Sequence, residues 1–426
     1  MKLIYLFEQR LPYENDNTLF GYDIVRKYGW DIEVWCLLGM TCNVDTDNLP
    51  KGLHIDQGEY IKFITTIQEF DDCLNSMDTK EAFFLCYPYD AYDRTSYYIR
   101  KKMYEYKFRF ANVAESPSFS YTILKKVPFG ITQAIKHLFR RYILGFGYFL
   151  MMWVKSLCSD TTYKKKFIDC FFRLIGPIKY PSYCNFITTE LAYYFVPQPF
   201  CKWLENNFLL HSTNYSLYLR EIADKKQCSK DEYIVFIDQG LINRDEVFLA
   251  MGSEIPIKNP SKYIADLNNL FLCLEKDYGC EVVIAAHPKA SYSSETFNNR
   301  KIIFGETATL IKNAKLVINQ FSAAFYFAVL FKKDFIDIYT KEMWLTPKKE
   351  FKLNYKGFEL INCESLDISN YNDVKNYKKY ICKYEKEKFK VVENVGIIDN
   401  NSKYRTKLFY EYVCEIINDI IKKDLN

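Results

Sequence analysis

Short apolar runs alternate with helical segments twice along this chain, and that double alternation narrows the folds open to it more than any other feature. "KLIYLF" reads as a strand, "EQRLPYENDN" as a polar loop, "TLFGYDIVRKYG" as a short helix ending at Gly29, and "DIEVWCLL" as the next strand. "AFFLCY" leads through a tyrosine-rich helix over Asp93–Tyr106 to "FRFANV"; "CNFITTE" is a further strand, and "FLLHSTNYSLYLREI" a strand entering a helix. A polar, charged linker, "ADKKQCSKDE", follows at 223–232. The rhythm then restarts with "YIVFIDQG", the helix "PSKYIADLNNLFLCLEKDYG" with proline near its start and glycine at its end, and the strand "CEVVIAA". "RKIIFG", the helix "TATLIKNA", "KLVIN", the helix "SAAFYFAVLF" and "DFIDIY" complete it.

Strands alternating with helices predict an α/β fold with doubly wound parallel sheets. The expected organisation is two Rossmann-like domains facing a cleft, at 1–222 and 233–345. An extension over 346–426 closes the chain. It ends in a helix whose stripe of Leu408, Phe409, Tyr412, Val413, Ile416, Ile417, Ile420 and Ile421 packs on a domain core.

A length of 426 residues, 49% hydrophobic and 26% charged, belongs to a folded globular protein. The 14 cysteines contain no CxxC pair, and His54, His137 and His211 complete no zinc pattern. They are expected to be free thiols of a reducing compartment, most of them buried as small apolar groups. No nucleic-acid partner and no metal are expected.

The net charge of +4 is unevenly spread. Pro117 to Tyr180 alone carries +9, so the rest of the chain carries −5. Within 118–180 the apolar run Tyr142–Val154 is shorter than the ~20 residues a spanning helix needs. Basic residues interleaved with it fit amphipathic helices lying on an anionic inner leaflet, or a buried helical insertion with a solvated basic face. The expectation is a cytoplasmic protein held peripherally at the inner membrane, with 118–180 inserted in the first domain.

In open α/β sheets ligands bind at the carboxyl ends of strands, so the residues there carry the functional reading. The first strand of the second unit ends in Asp238-Gln239-Gly240. Asp238 suits a general base or a ribose contact, or a turn residue capping amides; Gly240 permits close approach. The second ends in His287-Pro288-Lys289. Proline restricts His287 to an extended backbone, and an imidazolium beside Lys289 would assist an anionic leaving group; a surface loop histidine is the bland alternative. The third runs into Ser322 at a helix start, where Ala323 and Ala324 leave room for phosphate, although such a serine can also be a plain cap. Glu306, with Thr307 and Thr309, offers polar partners for a ribose or base. An acid, a base and a phosphate cradle around one cleft describe group transfer from a nucleotide-activated donor.

"DQG" at 238–240, "HP" at 287–288 and "FSAA" at 321–324 resemble the motifs of bacterial two-domain GT-B sialyltransferases. The N-terminal "LFGYDIVRKYGWDIEVW" is similar to capsule, O-antigen and lipooligosaccharide glycosyltransferases. The resemblance covers about 233–340 and the first forty residues, and differs at Gln239, where the family has a second acid. It implies inverting, metal-independent transfer of a sialic or other nonulosonic acid from a CMP donor to a glycan or glycolipid acceptor. Asp238 would then be the acceptor base, His287 the acid for the departing phosphate and Ser322 its contact. CMP-Kdo, UDP-sugar or CDP-glycerol donors, and a non-catalytic glycan-assembly role, are the alternatives.

Neutralising the Lys and Arg residues within 136–173 is expected to move the protein from the membrane pellet to the soluble fraction on ultracentrifugation. Unchanged partition would favour the buried insertion.

Overall fold

The computed structural model describes residues 1–42, 44–46, 49, 54–87, 94–114, 179–180, 182–188, 206–224, 232–242, 257, 259–288, 290–320, 322–342, 363–393, 397 and 406–425. Among them the chain forms two parallel sheets. The first contains β1 (Lys2–Phe7), β2 (Asp31–Cys36), β3 (Ile61–Phe63), β4 (Ala82–Tyr87), β5 (Arg109–Ala114), β6 (Cys184–Thr188) and β7 (Asn206–Leu210), in the order β3-β2-β1-β4-β5-β6-β7. The second contains β8 (Ile234–Ile237), β9 (Val282–Ala286), β10 (Ile302–Phe304), β11 (Leu316–Asn319), β12 (Phe335–Tyr339) and β13 (Leu366–Asp367), in the order β10-β9-β8-β11-β12-β13. Both orders start in the middle, run outward, then return to the other side of the first strand. That is the Rossmann winding, and the expected pair of Rossmann-like units is present.

Strands of such sheets are covered by helices on both faces and so read as unbroken apolar runs. β8, β9 and β11 are buried at every position. Successive side chains still part to opposite faces: Leu3, Tyr5 and Phe7 enter one core, Ile4 and Leu6 the other. In the second unit Val235 and Ile237 separate from Ile234 and Phe236 in the same way.

The helix Pro260–Tyr278 forms where its punctuation predicts. Asn259 accepts the Lys262 amide hydrogen through its side chain, proline occupies the first turn, and Gly279 terminates the helix in the left-handed conformation. Its buried stripe, including Tyr263, Leu267, Leu270, Phe271 and Leu274, covers one face of the second sheet.

Three expectations change. The segment around Gly21 is not one helix but two short ones, Asp16–Leu19 and Tyr22–Lys27. Gly21 lies between them at φ +60°, with the Tyr410 ring 2.5 Å from where a Cβ would stand, so the break makes room for the C-terminal helix. "SAAFYFAVLF" contributes a helix only over Phe325–Leu330. The cysteines are not all free: Cys363 and Cys382 form a disulfide, with their Cα atoms 5.7 Å apart. Cys363 precedes β13 and Cys382 bridges to Phe335 of β12, so neighbouring strands bring together two residues 19 apart in sequence. Spacing along the chain carries no sign of that pairing.

β13 joins the second sheet, and Phe389 and Val392 enter its core, so this unit continues past residue 345. The helix Phe409–Leu425 instead returns to the first sheet, where Val413, Cys414 and Ile417 are fully buried among Leu3, Tyr5 and Phe7. Arg220, in the helix Thr213–Ala223, makes a two-pronged ion pair with Asp23 at 3.0 and 2.9 Å. Apart from 179–180, the basic segment 118–180 lies outside the described residues, as does most of the linker. Among the described residues, no helix is long and apolar enough to cross a membrane.

Ile417→Ala is expected to destabilise the protein by about 2–5 kcal/mol, the cost of a large-to-small change at a fully buried site. Urea unfolding followed by circular dichroism measures it; a loss below about 1 kcal/mol would show that the C-terminal helix is not part of the first core.

Candidate functional site

The strand order of each sheet reverses between its first and fourth strands, β1 and β4 in one unit and β8 and β11 in the other. At such a switch point the loops leave in opposite directions and open a crevice. The two carboxyl edges face each other. His54, ahead of β3, packs against Phe304 at the end of β10, with ring centroids 4.1 Å apart. Asn15, in the loop after β1, lies against Gly305; a Cβ there would be 3.1 Å from that of Asn15.

Asp238 follows β8 directly and is 4% exposed. One carboxylate oxygen accepts the Gly240 amide at 2.9 Å, closing a tight turn in which Gly240 takes φ +60°. The other accepts the His287 amide at 3.1 Å and the Tyr292 hydroxyl at 2.8 Å. The carboxylate therefore ties the end of β8 to the loop after β9. His287 is pinned at its carbonyl as well, which accepts the Ala290 amide at 2.9 Å. Its side chain and Pro288 are half-buried, while Lys289 lies outside the described residues. Gln239 donates to the Asp238 carbonyl at 3.3 Å.

Ser322 is placed differently from the expected helix cap. The helix starts three residues later at Phe325, with Ala324 as its first flanking residue. The Ser322 hydroxyl accepts the Ala324 amide at 3.1 Å, and its own amide donates to Asn319 Oδ1 at 3.3 Å. It heads a turn after β11 in which Ala323 and Ala324 are half-buried. The Asn319 amide group also donates to Asp337 Oδ1 at 2.6 Å, and the Ser365 hydroxyl donates to the other oxygen of Asp337 at 2.5 Å. Beside it, Tyr263 donates to Gln320 Oε1 at 2.5 Å. Burial, with the charge of Asp238 adding to it, holds the Tyr263 phenol well above its ordinary range, so it remains a donor.

Of the groups after β10, Glu306 is exposed and Thr307 half-buried at the start of the helix Thr307–Asn313. Thr309 points away from these groups: its hydroxyl donates to Glu221 at 2.9 Å, tying two helices together. β9, β8 and β11 are neighbours, so His287, Asp238 and Ser322 gather on three adjacent strand ends.

Two buried carboxylates were not legible as site residues by the strand-end rule applied to the second unit alone. Glu8, 4% exposed, follows β1 at the other switch point and accepts a hydrogen bond from Ser96. The same rule applied to "KLIYLF" would have found it. Asp337 lies within β12, and an acid inside the apolar run "DFIDIY" is its signal. Burial pushes its carboxyl up to about 7, against the pull of the Ser365 and Asn319 hydrogen bonds.

No family model matches the chain, and no curated protein matches it. Among solved structures it is similar to UDP-GlcNAc 2-epimerase from Methanocaldococcus jannaschii, at 13% identity and TM-score 0.44, covering 98% of this chain and 99% of that one. It is also similar to the spinosyn forosaminyltransferase SpnP, at 9% identity and TM-score 0.43, covering 97% and 99%. The wall teichoic acid polymerase TagF matches at 12% identity and TM-score 0.42, covering 100% and 90%. Likeness at these levels leaves the activity to be read from this chain's own residues.

Because the folded state holds the Asp337 proton more tightly than the unfolded chain, its contribution to stability is full below about pH 4 and lost as pH rises through about 7. The fall is roughly 4 kcal/mol at ~1.4 kcal/mol per pKa unit. Asp337→Asn is expected to flatten this part of the curve, with unfolding free energies compared at pH 5 and pH 8. Equal slopes in variant and wild type would show that Asp337 ionises normally.

Proposed function

We propose that the protein is an inverting glycosyltransferase of GT-B type that takes its sugar from a nucleotide-activated donor, with a CMP-linked nonulosonic acid as the leading candidate. The observation that carries this reading is the gathering of Asp238, His287 and Ser322 on three adjacent strand ends at the second sheet's switch point, facing the first sheet's carboxyl edge. A leaving CMP is a phosphate monoester with close to two negative charges. One positioned imidazolium can protonate or hydrogen-bond it as the glycosidic bond breaks. His287 takes that role, with Pro288 and Lys289 in the same loop. The turn of Ser322 and Ala323 receives the phosphate, and Glu306 and Thr307 receive the ribose or base.

In this proposal Asp238 is the brace that aims the His287 loop, because both its oxygens are already committed to three donors. The proton of the attacking hydroxyl then passes to Glu8, the carboxylate at the facing switch point. The new C–O bond forms as the bond to the phosphate oxygen breaks. CMP leaves with its charge met by His287, and the anomeric centre inverts. The acceptor is a bacterial surface glycan or glycolipid, presented where the basic segment 118–180 meets the inner leaflet.

Thermal shift and calorimetric titration with CMP, CDP and UDP test the donor. CMP is expected to bind most tightly; stabilisation by UDP alone would sink the CMP assignment, and binding of none would sink the transferase reading. His287→Ala is expected to lower kcat by about 10²- to 10⁴-fold, the range for loss of a general acid. Glu8→Gln is expected to do likewise with little change in nucleotide affinity, whereas Asp238→Asn weakens both affinity and stability.

A further inference from the structure

Between β11, β12 and β13 the second unit contains a chain of polar side chains where its neighbours are apolar. Asn319 is fully buried and Asp337 is 1% exposed, while Leu316, Val317 and Ile318 beside them fill the core. Apolar residues at 319 and 337 would avoid the desolvation cost of a buried amide and a buried carboxyl. A buried polar network that satisfies its members instead fixes one geometry. Here every link is made. The Ser365 hydroxyl and the Asn319 carboxamide each donate to one oxygen of Asp337, and the remaining Asn319 oxygen accepts the Ser322 amide. Ser365 is itself anchored, because Cys363, two residues earlier, is disulfide-linked to Cys382, which pairs with Phe335 of β12.

We propose that Asn319 is a positioning residue for the donor-phosphate turn, held in one orientation by Asp337 and Ser365: by holding the Ser322 amide it sets the Ala323 amide and the Ser322 hydroxyl hydrogen before the nucleotide arrives. This deepens the reading of Ser322 given above and rests on it for the identity of the ligand. The chemistry is that of preorganised donors: groups fixed in advance need no reordering when charge develops on the phosphate. Asp337 orients the Asn319 carboxamide through its acceptor oxygen. With its NH₂ engaged there, Asn319 has only its oxygen to offer Ser322. A flipped amide would set NH₂ against the Ser322 N–H and oxygen against the Asp337 oxygen.

The pair can be exchanged. In Asn319→Asp alone, assayed at pH 8, where Asp337 has lost its proton, two carboxylates meet in the core. In the double variant Asn319→Asp/Asp337→Asn the new amide at 337 donates to the new carboxylate at 319 and accepts from Ser365, and the carboxylate accepts the Ser322 amide. Every hydrogen bond is restored with the roles reversed. The experiment measures CMP affinity by calorimetry, with hydrogen–deuterium exchange of residues 319–326 on the same unliganded full-length proteins. Asn319→Ala is expected to weaken CMP at least tenfold and to speed exchange at the turn. Asn319→Asp should do the same, and the double variant should recover to within about threefold of wild type. Ser365→Ala, which removes only the far hydroxyl, should give a smaller loss and provides the comparison if the changes at 319 do not fold. Wild-type CMP affinity in Asn319→Ala, or a double variant no better than Asn319→Asp, would overturn the proposal; so would unaltered exchange in Asn319→Ala and Ser365→Ala. Should the wild type bind none of CMP, CDP and UDP, the transferase reading falls, while the exchange data and the double-variant rescue still decide whether Asn319 sets the turn.

Discussion

A parallel strand covered on both faces leaves no side of itself for polar chemistry. That constraint governs the molecule. β8, β9 and β11 are apolar and buried along nearly their whole length, and the first polar groups the chain can offer stand where each strand stops. Asp238, His287 and the Asn319–Ser322 turn are all such residues. The winding of the sheet makes β9, β8 and β11 neighbours, so groups dispersed over more than eighty residues of sequence meet along one edge.

Placing polar groups at a buried edge costs free energy unless each finds a partner. Asp238 meets that condition with three donors from two loops, and in doing so joins β8 to the His287 loop. Asn319, Asp337 and Ser365 meet it among themselves and so fix the Ser322 turn. The two networks lie on either side of the switch point, with the Tyr263–Gln320 hydrogen bond buried in the core beside them. Groups tied down in this way suit chemistry that depends on fixed dipoles.

The facing edge comes from the other half of the chain. Asn15 against Gly305 and His54 against Phe304 bring the carboxyl ends of the two sheets together. Behind them the Arg220–Asp23 pair ties the helix Thr213–Ala223, whose Tyr215 enters the core of the second sheet, to the first unit, while the C-terminal helix is buried on the first sheet. A cleft between two switch points would give each reactant its own wall in the proposed two-substrate transfer.

Much of this was legible from residues alone. Uninterrupted apolar runs separated by helices dictate parallel sheets, and the Pro260 and Gly279 punctuation sets a helix to within a residue, because those signals are local. His287 was legible because proline and a preceding strand confine it. The limits of the C-terminal helix's stripe were legible too, but not which sheet it would cover, since either core could have taken an apolar stripe. Nor could the chain show that Asp238 spends its oxygens on Gly240, His287 and Tyr292, that Ser322 heads a turn ahead of its helix, or that Cys363 meets Cys382. Each of these depends on which strands become neighbours. Hydrophobic period and turn chemistry act over a few residues and are written in the sequence; hydrogen-bond partners are chosen across the sheet, and only the tertiary structure decides them.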